Sequence, residues 1–440
     1  MGSISVKQLW WLQPAWLFAL VVGGTMALAI AQTDQNYALY NTPKYLNASH
    51  GVLAAGAVIV FVLGCQLALL TGFASKQTEF TPVPQLKIIA LALFALTLFG
   101  YVVWLMVGIK NGFSLSIIRD VILGDDAGIT DGLKKEIFKT IPGVTTCTQF
   151  AASAVLLGAF LFTKGYKQIA WAVSIIVSIT LIRALALSER LALVELVVPI
   201  GLILIRYIVF NRQLPIVVSW LMKGAPFLGV LFLMVFFGTA EYFRSWKFYQ
   251  KDFDSVVEFT VWRISGYYTT AHNNSAMALA TEHTFELPYY TIQSLWEFPG
   301  VSNSPIGYKS LTGVDPDEKH LYMLERFGTD ELNNYGGLFA PALDFGILGF
   351  FVFWFGSGFL SGRLYRSFMH GSIAGMMLYP IVVLSILEVP RQLYFSNQRL
   401  FPSLVAIVCI IWVVKRAGTL PAAEMSSPGL LMSKMIDRTA

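Results

Sequence analysis

Ten long apolar runs recur along this chain, at 13–31, 51–73, 87–108, 147–163, 168–186, 191–210, 224–239, 337–360, 373–388 and 401–415. A helix needs roughly 20 such residues to cross the hydrocarbon core of a bilayer. No other feature constrains the fold as strongly. In lipid a backbone must satisfy its own polar groups, which helices and closed barrels alone can do. Runs this continuous select helices. Only 13% of the 440 residues are charged and 56% are hydrophobic, whereas soluble domains carry about 25% charged residues. That balance argues against a water-soluble enzyme, a nucleic-acid binder or a disordered scaffold. The expected fold is an all-α polytopic membrane protein with about ten transmembrane helices. Helices one to seven would occupy 1–239, a large polar loop 240–336, and helices eight to ten with a short tail 337–440.

The first run ends in Ala29-Ile30-Ala31, which mimics a signal-peptide cleavage site. Its start carries only Lys7 and further runs follow, so it reads as a retained span. Lys and Arg in the short loops give the orientation. With the N-terminus inside, the inner connections hold Lys76, Lys164, Lys167, Arg212, Lys223, Arg363 and Arg366, and Glu79 is their only acid. The tail adds Lys415, Arg416, Lys434 and Arg438. Both termini are therefore expected in the cytoplasm. The weak point is 168–210, where only Ser188-Glu189-Arg190 interrupts the apolar residues. One long helix there would make the count odd and invert the later loops.

The segment 240–335 holds thirteen of the 26 acidic residues and is rich in Tyr, Trp and Phe. Connections longer than about 15 residues are usually functional or disordered, and the aromatics argue against disorder. Short helices packed on the outer end of the bundle are expected. A second outer loop, 109–146, contains the amphipathic stretch 131–139, a candidate for the membrane surface. Cys65, Cys147 and Cys409 all lie in apolar runs, without metal or disulfide spacing. No nucleotide-binding or GxSxG motif is present. Neither a cofactor nor a metal is expected, and energy would come from an activated substrate or an ion gradient.

Charges inside apolar spans are costly and mark candidate sites. Arg183, Glu189 and Arg190 fall at the ends of the fifth and sixth runs, Glu195 lies about one and a half turns into the sixth, and Pro199 follows. Arg183 and Arg190 share a face if the local structure is helical. Two guanidiniums on one face suit a diphosphate, because each offers forked donors to phosphate oxygens. A plain Arg–Glu pairing that orders the hairpin is the competing reading. Arg263, Arg326, Arg391 and Arg399 are also placed on the outer side, and convergence of five or more arginines is the main structural expectation. A general base could be His or a carboxylate. Glu282, Glu286, His272, His283 and His320 are candidates that nothing ranks sharply. Tyr267, Tyr268, Tyr289, Tyr290 and Trp296 could stack on sugar rings or form the loop's own core.

The pattern resembles the Wzy-type oligosaccharide repeat-unit polymerases of O-antigen, capsule and exopolysaccharide pathways. The many spans with one large outer loop late in the chain carry part of the resemblance. Arg183-Ala-Leu-Ala-Leu-Ser-Glu-Arg190 is similar to the family's wording, and Arg190 to Gly201 and Arg326 to Gly337 match its Arg-x10-Gly pattern. Arg263-Ile-Ser-Gly-Tyr-Tyr-Thr-Thr-Ala-His-Asn-Asn274, and Asn333-Asn-Tyr-Gly-Gly337 leading to Asp344-Phe-Gly-Ile-Leu-Gly349, look like the family's loop and its approach to the next span. The resemblance implies metal-independent glycosyl transfer at the outer (periplasmic) face of the bacterial inner membrane. Units linked to undecaprenyl diphosphate would be joined into a surface polysaccharide. It leaves open a chain-length regulator as partner beside the lipid-linked glycan and the bilayer. Arg190, Glu195, His272 and Glu282 are then the catalytic candidates. Arg183, Arg190, Arg263, Tyr267, Asn274, Arg326 and Arg391 are the substrate-binding ones, and Asp344 orders the loop. An O-antigen-ligase-like transferase and a lipid-glycan flippase or transporter remain the alternatives.

Overall fold

The computed structural model describes residues 9–71, 84–114, 136–187, 190–211, 215–281, 286–329 and 331–417. Among them the regular elements are all helical. A helix stands at every apolar run, and a short one, α7, precedes the seventh: α1 Pro14–Ala31, α2 Ala48–Leu70, α3 Pro84–Lys110, α4 Thr145–Thr163, α5 Ala170–Leu187, α6 Arg190–Asn211, α7 Ile216–Lys223 and α8 Ala225–Glu241. The chain continues with α9 Val256–Ala280, α10 Pro316–Phe327, α11 Ala340–Met369, α12 Ile373–Glu388 and α13 Phe401–Ala417. Seven of these, α1 to α6 and α11, are long and apolar enough to cross a membrane. An eighth span results if α7 and α8, bent by 66° at their junction, count as one, and α12 and the described part of α13 are shorter apolar helices of 16 and 17 residues.

The stretch 168–210 is two helices that fold back on one another. Arg183 on α5 and Glu195 near the start of α6 reach the same cavity. Further along α6, Arg206 Nε donates to Phe368 O at 2.7 Å. Trp11 Nε1 donates to Met222 O at 2.9 Å, and the Tyr379 hydroxyl donates to Leu12 O. The start of the chain, the α7 region and the α11–α12 turn thus share one end of the bundle. At the other end, Asn273 Oδ1 accepts from Tyr45 N at 2.7 Å, Ser396 Oγ donates to Tyr290 O at 2.7 Å, and Ser403 Oγ donates to Gln149 O at 2.7 Å.

The core sits around α4 and α12. Every residue from Ala151 to Leu161 is buried, as suits a helix that is apolar on all faces. Between helices in lipid, packing rather than water exclusion drives association, so small residues decide which helices touch. The α2–α11 pair is the clearest case. A Cβ on Gly358 would fall 2.1 Å from Phe61 O, and one on Gly64 would fall 2.2 Å from Phe355 O. Cys65 Sγ donates to Gly358 O at 3.1 Å across the same contact. Gly358→Leu is therefore expected to force α2 from α11 and to cost upwards of ~1–3 kcal/mol, the usual range for overpacking. The check is a lower melting temperature in detergent, with Gly201→Ala as control, since Gly201 faces open space.

The segment 240–335 departs from the expectation of short helices only. Its largest element, α9, has 25 residues and packs against α1 and α8. From Thr269 to Ala278 it is buried on every side. Most of its polar side chains find a partner there, although His272 Nδ1 and Asn274 Oδ1 have none among the described residues. Thr269 and Thr270 donate to the carbonyls of Ser265 and Gly266, and Asn274 Nδ2 donates to Leu332 O and Asn334 O at 2.8 and 3.1 Å. Most of the amphipathic stretch 131–139 lies outside the described residues.

Candidate functional site

At the end of the bundle where α5 meets α6, a cavity of about 530 Å³ opens between α3, α4, α5, α6 and the segments around Glu297 and Arg399. Small-molecule sites run to about 300–1,000 Å³, so there is room for a diphosphate with a sugar ring beside it. Ala151, Ala152 and Ala192 leave that space by lacking bulk, while Thr140, Thr145, Thr146, Thr148 and Thr180 line it with hydroxyls. Gln149 is also at the wall, and its Oε1 is buried without a hydrogen bond among the described residues.

Among the described residues, Arg183 and Arg399 reach the cavity. Arg183 lies over the Trp104 ring at 5.6 Å, and that ring stacks on Phe138 at 4.2 Å. Its Nη1 is 3.5 Å from Thr148 Oγ1. Arg399 Nε donates to Glu195 Oε1 at 2.6 Å, and the same oxygen accepts from the Tyr394 hydroxyl. Glu195 is thus anchored, and it holds Arg399 at the cavity. Beside it, Arg391 Nη1 pairs with Glu388 Oε2 at 3.1 Å and its guanidinium sits 5.8 Å from the Tyr267 ring.

The cavity lining holds a second carboxylate, Glu297. Glu297 Oε1 accepts from the Tyr289 hydroxyl and from Gln293 Nε2, each at 2.6 Å. Burial raises its pKa above the usual carboxylate range, partly offset by those two hydrogen bonds. Its main-chain oxygen accepts from Gln398 Nε2, next to Arg399. Asp344 sets this loop. It accepts from Tyr289 N, Tyr290 N, Thr291 N and Thr291 Oγ1 at 3.0, 3.2, 2.7 and 2.7 Å. Two residues later Gly346 adopts φ 68°, ψ −175° inside α11, a backbone region open only to glycine. Asp344→Ala strands four donors and is expected to loosen 289–297, at a cost of ~2–4 kcal/mol for charge-assisted hydrogen bonds. Faster amide exchange across that loop is the readout.

Of the arginines expected to converge, Arg183 and Arg399 line the cavity among the described residues, while Arg263, Arg326 and Arg391 do not. Arg263 is 3% exposed and locked between Glu241 Oε2 at 3.3 Å and Glu331 Oε1 at 2.7 Å, which gives it a structural task away from the cavity. Arg326 is exposed and donates to the Tyr322 hydroxyl. Its partner in the Arg-x10-Gly pattern, Gly337, is a backbone contact, where a Cβ would lie 2.5 Å from Leu393 N. The other match ends at Gly201, which faces open space. Tyr267 packs edge-on against Phe237 at 5.2 Å, between Arg263 and Arg391. Asn274 is an interior hydrogen-bond donor, as described above.

His272 is buried in α9 with Nε2 3.0 Å from Thr25 Oγ1, whose own hydroxyl donates to Val21 O. Burial pushes its imidazole down to about 4, and it does not line the cavity. His320 is also depressed by burial to about 4, with Nε2 2.9 Å from Asn333 O. Glu282, His283 and the side chain of Arg190 lie outside the described residues, although Leu187 and Ala192 on either side of Arg190 line the cavity. Sequence reasoning missed Glu297 and Gln149, and it named Arg399 without ranking it above its neighbours. Compared with protein-family models, curated proteins and solved structures, the chain matches none.

Proposed function

We propose that this chain is a membrane glycosyltransferase that polymerises oligosaccharide repeat units linked to undecaprenyl diphosphate. The reaction would run without a metal at the outer face of the bacterial inner membrane, in a bundle of ten spans with both termini inside. The observation that carries this reading is one cavity holding Arg183 and Arg399 on a wall of hydroxyls and amides, at the end of the bundle bearing the large polar segment. Glycosyl transfer from a lipid diphosphate expels an anion. Arginines fixed before the reaction stabilise the charge that develops on it. Arg183 and Arg399 bind the diphosphate. Thr148, Gln149 and Asn397 offer hydrogen bonds to sugar hydroxyls.

A ligase-like transferase would be expected to bring a histidine to this cavity. Neither His272 nor His320 is among its described lining residues, and His283, the third candidate, lies outside the described residues. The test is reconstitution of the purified protein in lipid nanodiscs with lipid-diphosphate-linked repeat units. A ladder of lengthening glycans with release of undecaprenyl diphosphate is the expected product. Units left unextended would contradict the proposal.

A further inference from the structure

The cavity holds two carboxylates in different surroundings. Glu195 is paired with a cation, since Arg399 Nε donates to its Oε1 at 2.6 Å beside the Tyr394 hydroxyl. Glu297 has no cationic partner among the described residues, and both of its hydrogen bonds, from Tyr289 and Gln293, fall on Oε1. Its Oε2 therefore keeps its lone pairs on a side chain that lines the same cavity as Arg183 and Arg399. Two carboxylates whose environments differ in this way divide acid–base roles between them. We infer that Glu297 is the proton acceptor for the incoming sugar hydroxyl, a conclusion that rests on the glycosyl-transfer reading above.

The step balances as follows. The acceptor hydroxyl oxygen forms a bond to the donor's anomeric carbon as the bond from that carbon to the diphosphate oxygen breaks. The electron pair of the broken bond leaves on the diphosphate, against Arg183 and Arg399. The hydroxyl proton passes to Glu297 Oε2 and then to water. A raised pKa suits the task, because a base works best when its pKa lies near the working pH. The groups facing Glu297 are Tyr289 and Gln293 on its own segment and Asp317 on α10, with Arg183, Arg399 and Glu195 lining the same cavity. Burial raises its pKa, the Tyr289 and Gln293 hydrogen bonds lower it, and Asp317 raises it.

The experiment uses the full chain in nanodiscs, with lipid-linked units extracted from a strain lacking it. Glu297→Gln keeps the shape and an oxygen for Tyr289, and it is expected to cut kcat by about 100-fold or more, the lower bound for losing a general base. Inhibition by inorganic diphosphate should stay at the wild-type level, since the arginines are untouched. The wild-type rate should fall on the acid side as Glu297 takes up its proton, and that limb should vanish in the variant. Tyr289→Phe removes one hydrogen bond to the charged form, so its acid limb should move to higher pH. This second variant keeps the inference testable if Glu297→Gln folds poorly. A wild-type rate in Glu297→Gln, or an unmoved acid limb in Tyr289→Phe, would overturn the role of Glu297 alone. Failure of the wild-type protein to extend the units would instead remove the functional reading beneath it.

Discussion

Arg399→Ala is expected to stop chain extension, with a fall in kcat of about 100- to 1,000-fold, as is typical when one preorganised donor to a developing anion is removed. Arg183→Ala should fall in the same range, and Arg399→Lys between wild type and Arg399→Ala, because an ammonium keeps the charge but lacks the forked donors of guanidinium. The substitution at Arg399 has a second consequence that must be separated from the first. It leaves Glu195, 12% exposed, without its ion-pair partner. If Arg399 served only to neutralise Glu195, the double variant Arg399→Ala/Glu195→Ala would regain activity. A site for a diphosphate predicts that it does not. The comparison is a double-mutant cycle, which is informative because the residues are in contact. Turnover of lipid-linked units by the purified variants is the measurement, and weaker inhibition by inorganic diphosphate should accompany the loss in both single variants.

Arg263→Ala is expected to fail differently, by unfolding. Glu241 is fully buried and accepts from Arg263 Nε and from Ser245 Oγ. The Arg263 guanidinium also lies 5.4 Å from the Tyr267 ring and 5.7 Å from the Tyr249 ring. Taking away one member of a buried ion pair leaves a charge without a counter-ion and costs ~3–5 kcal/mol. That is a large share of a typical stability of about 5–15 kcal/mol. Replacing both members with apolar residues is often close to neutral, so Arg263→Leu/Glu241→Leu should recover folded protein where Arg263→Ala loses it. Yield and melting temperature in detergent decide. A stable Arg263→Ala protein with weakened diphosphate inhibition would return Arg263 to the substrate site and contradict its placement between two carboxylates.

The contrast between these two arginines marks how far the sequence could be read. Apolar runs announce helices in any context, because a lipid-exposed backbone has few alternatives, and a helix stands at each run. Arg183 and Glu195 were legible as charges where apolar residues surround them. The helix α9 was not legible as buried structure. Its Thr and Ser hydroxyls bond the helix's own carbonyls and its Asn and His side chains reach distant groups such as Pro43 O, Leu332 O and Thr25 Oγ1, so no hydropathy or periodicity signals the burial. For the same reason His272 read as a solvated candidate base, whereas it packs on Thr25. Glu297 was hidden by the opposite effect. It is one of thirteen acids in a polar segment, and only the Asp344 turn and Gln398 bring it to the cavity. Which of several similar arginines enters a cavity is set by helix rotation and loop course, and spacing alone does not encode either.

The most direct test of the central claim is a gel profile of surface polysaccharide from a strain lacking this chain, complemented with wild type, Arg183→Ala or Arg399→Ala. The account predicts glycan capped at a single repeat unit without the chain, a full ladder restored by wild type, and no ladder with either variant despite normal protein levels. Full-length polymer left on its lipid carrier would indicate a ligase, and units trapped on the cytoplasmic face a flippase. Either of those, or an unchanged profile, would contradict the polymerase reading.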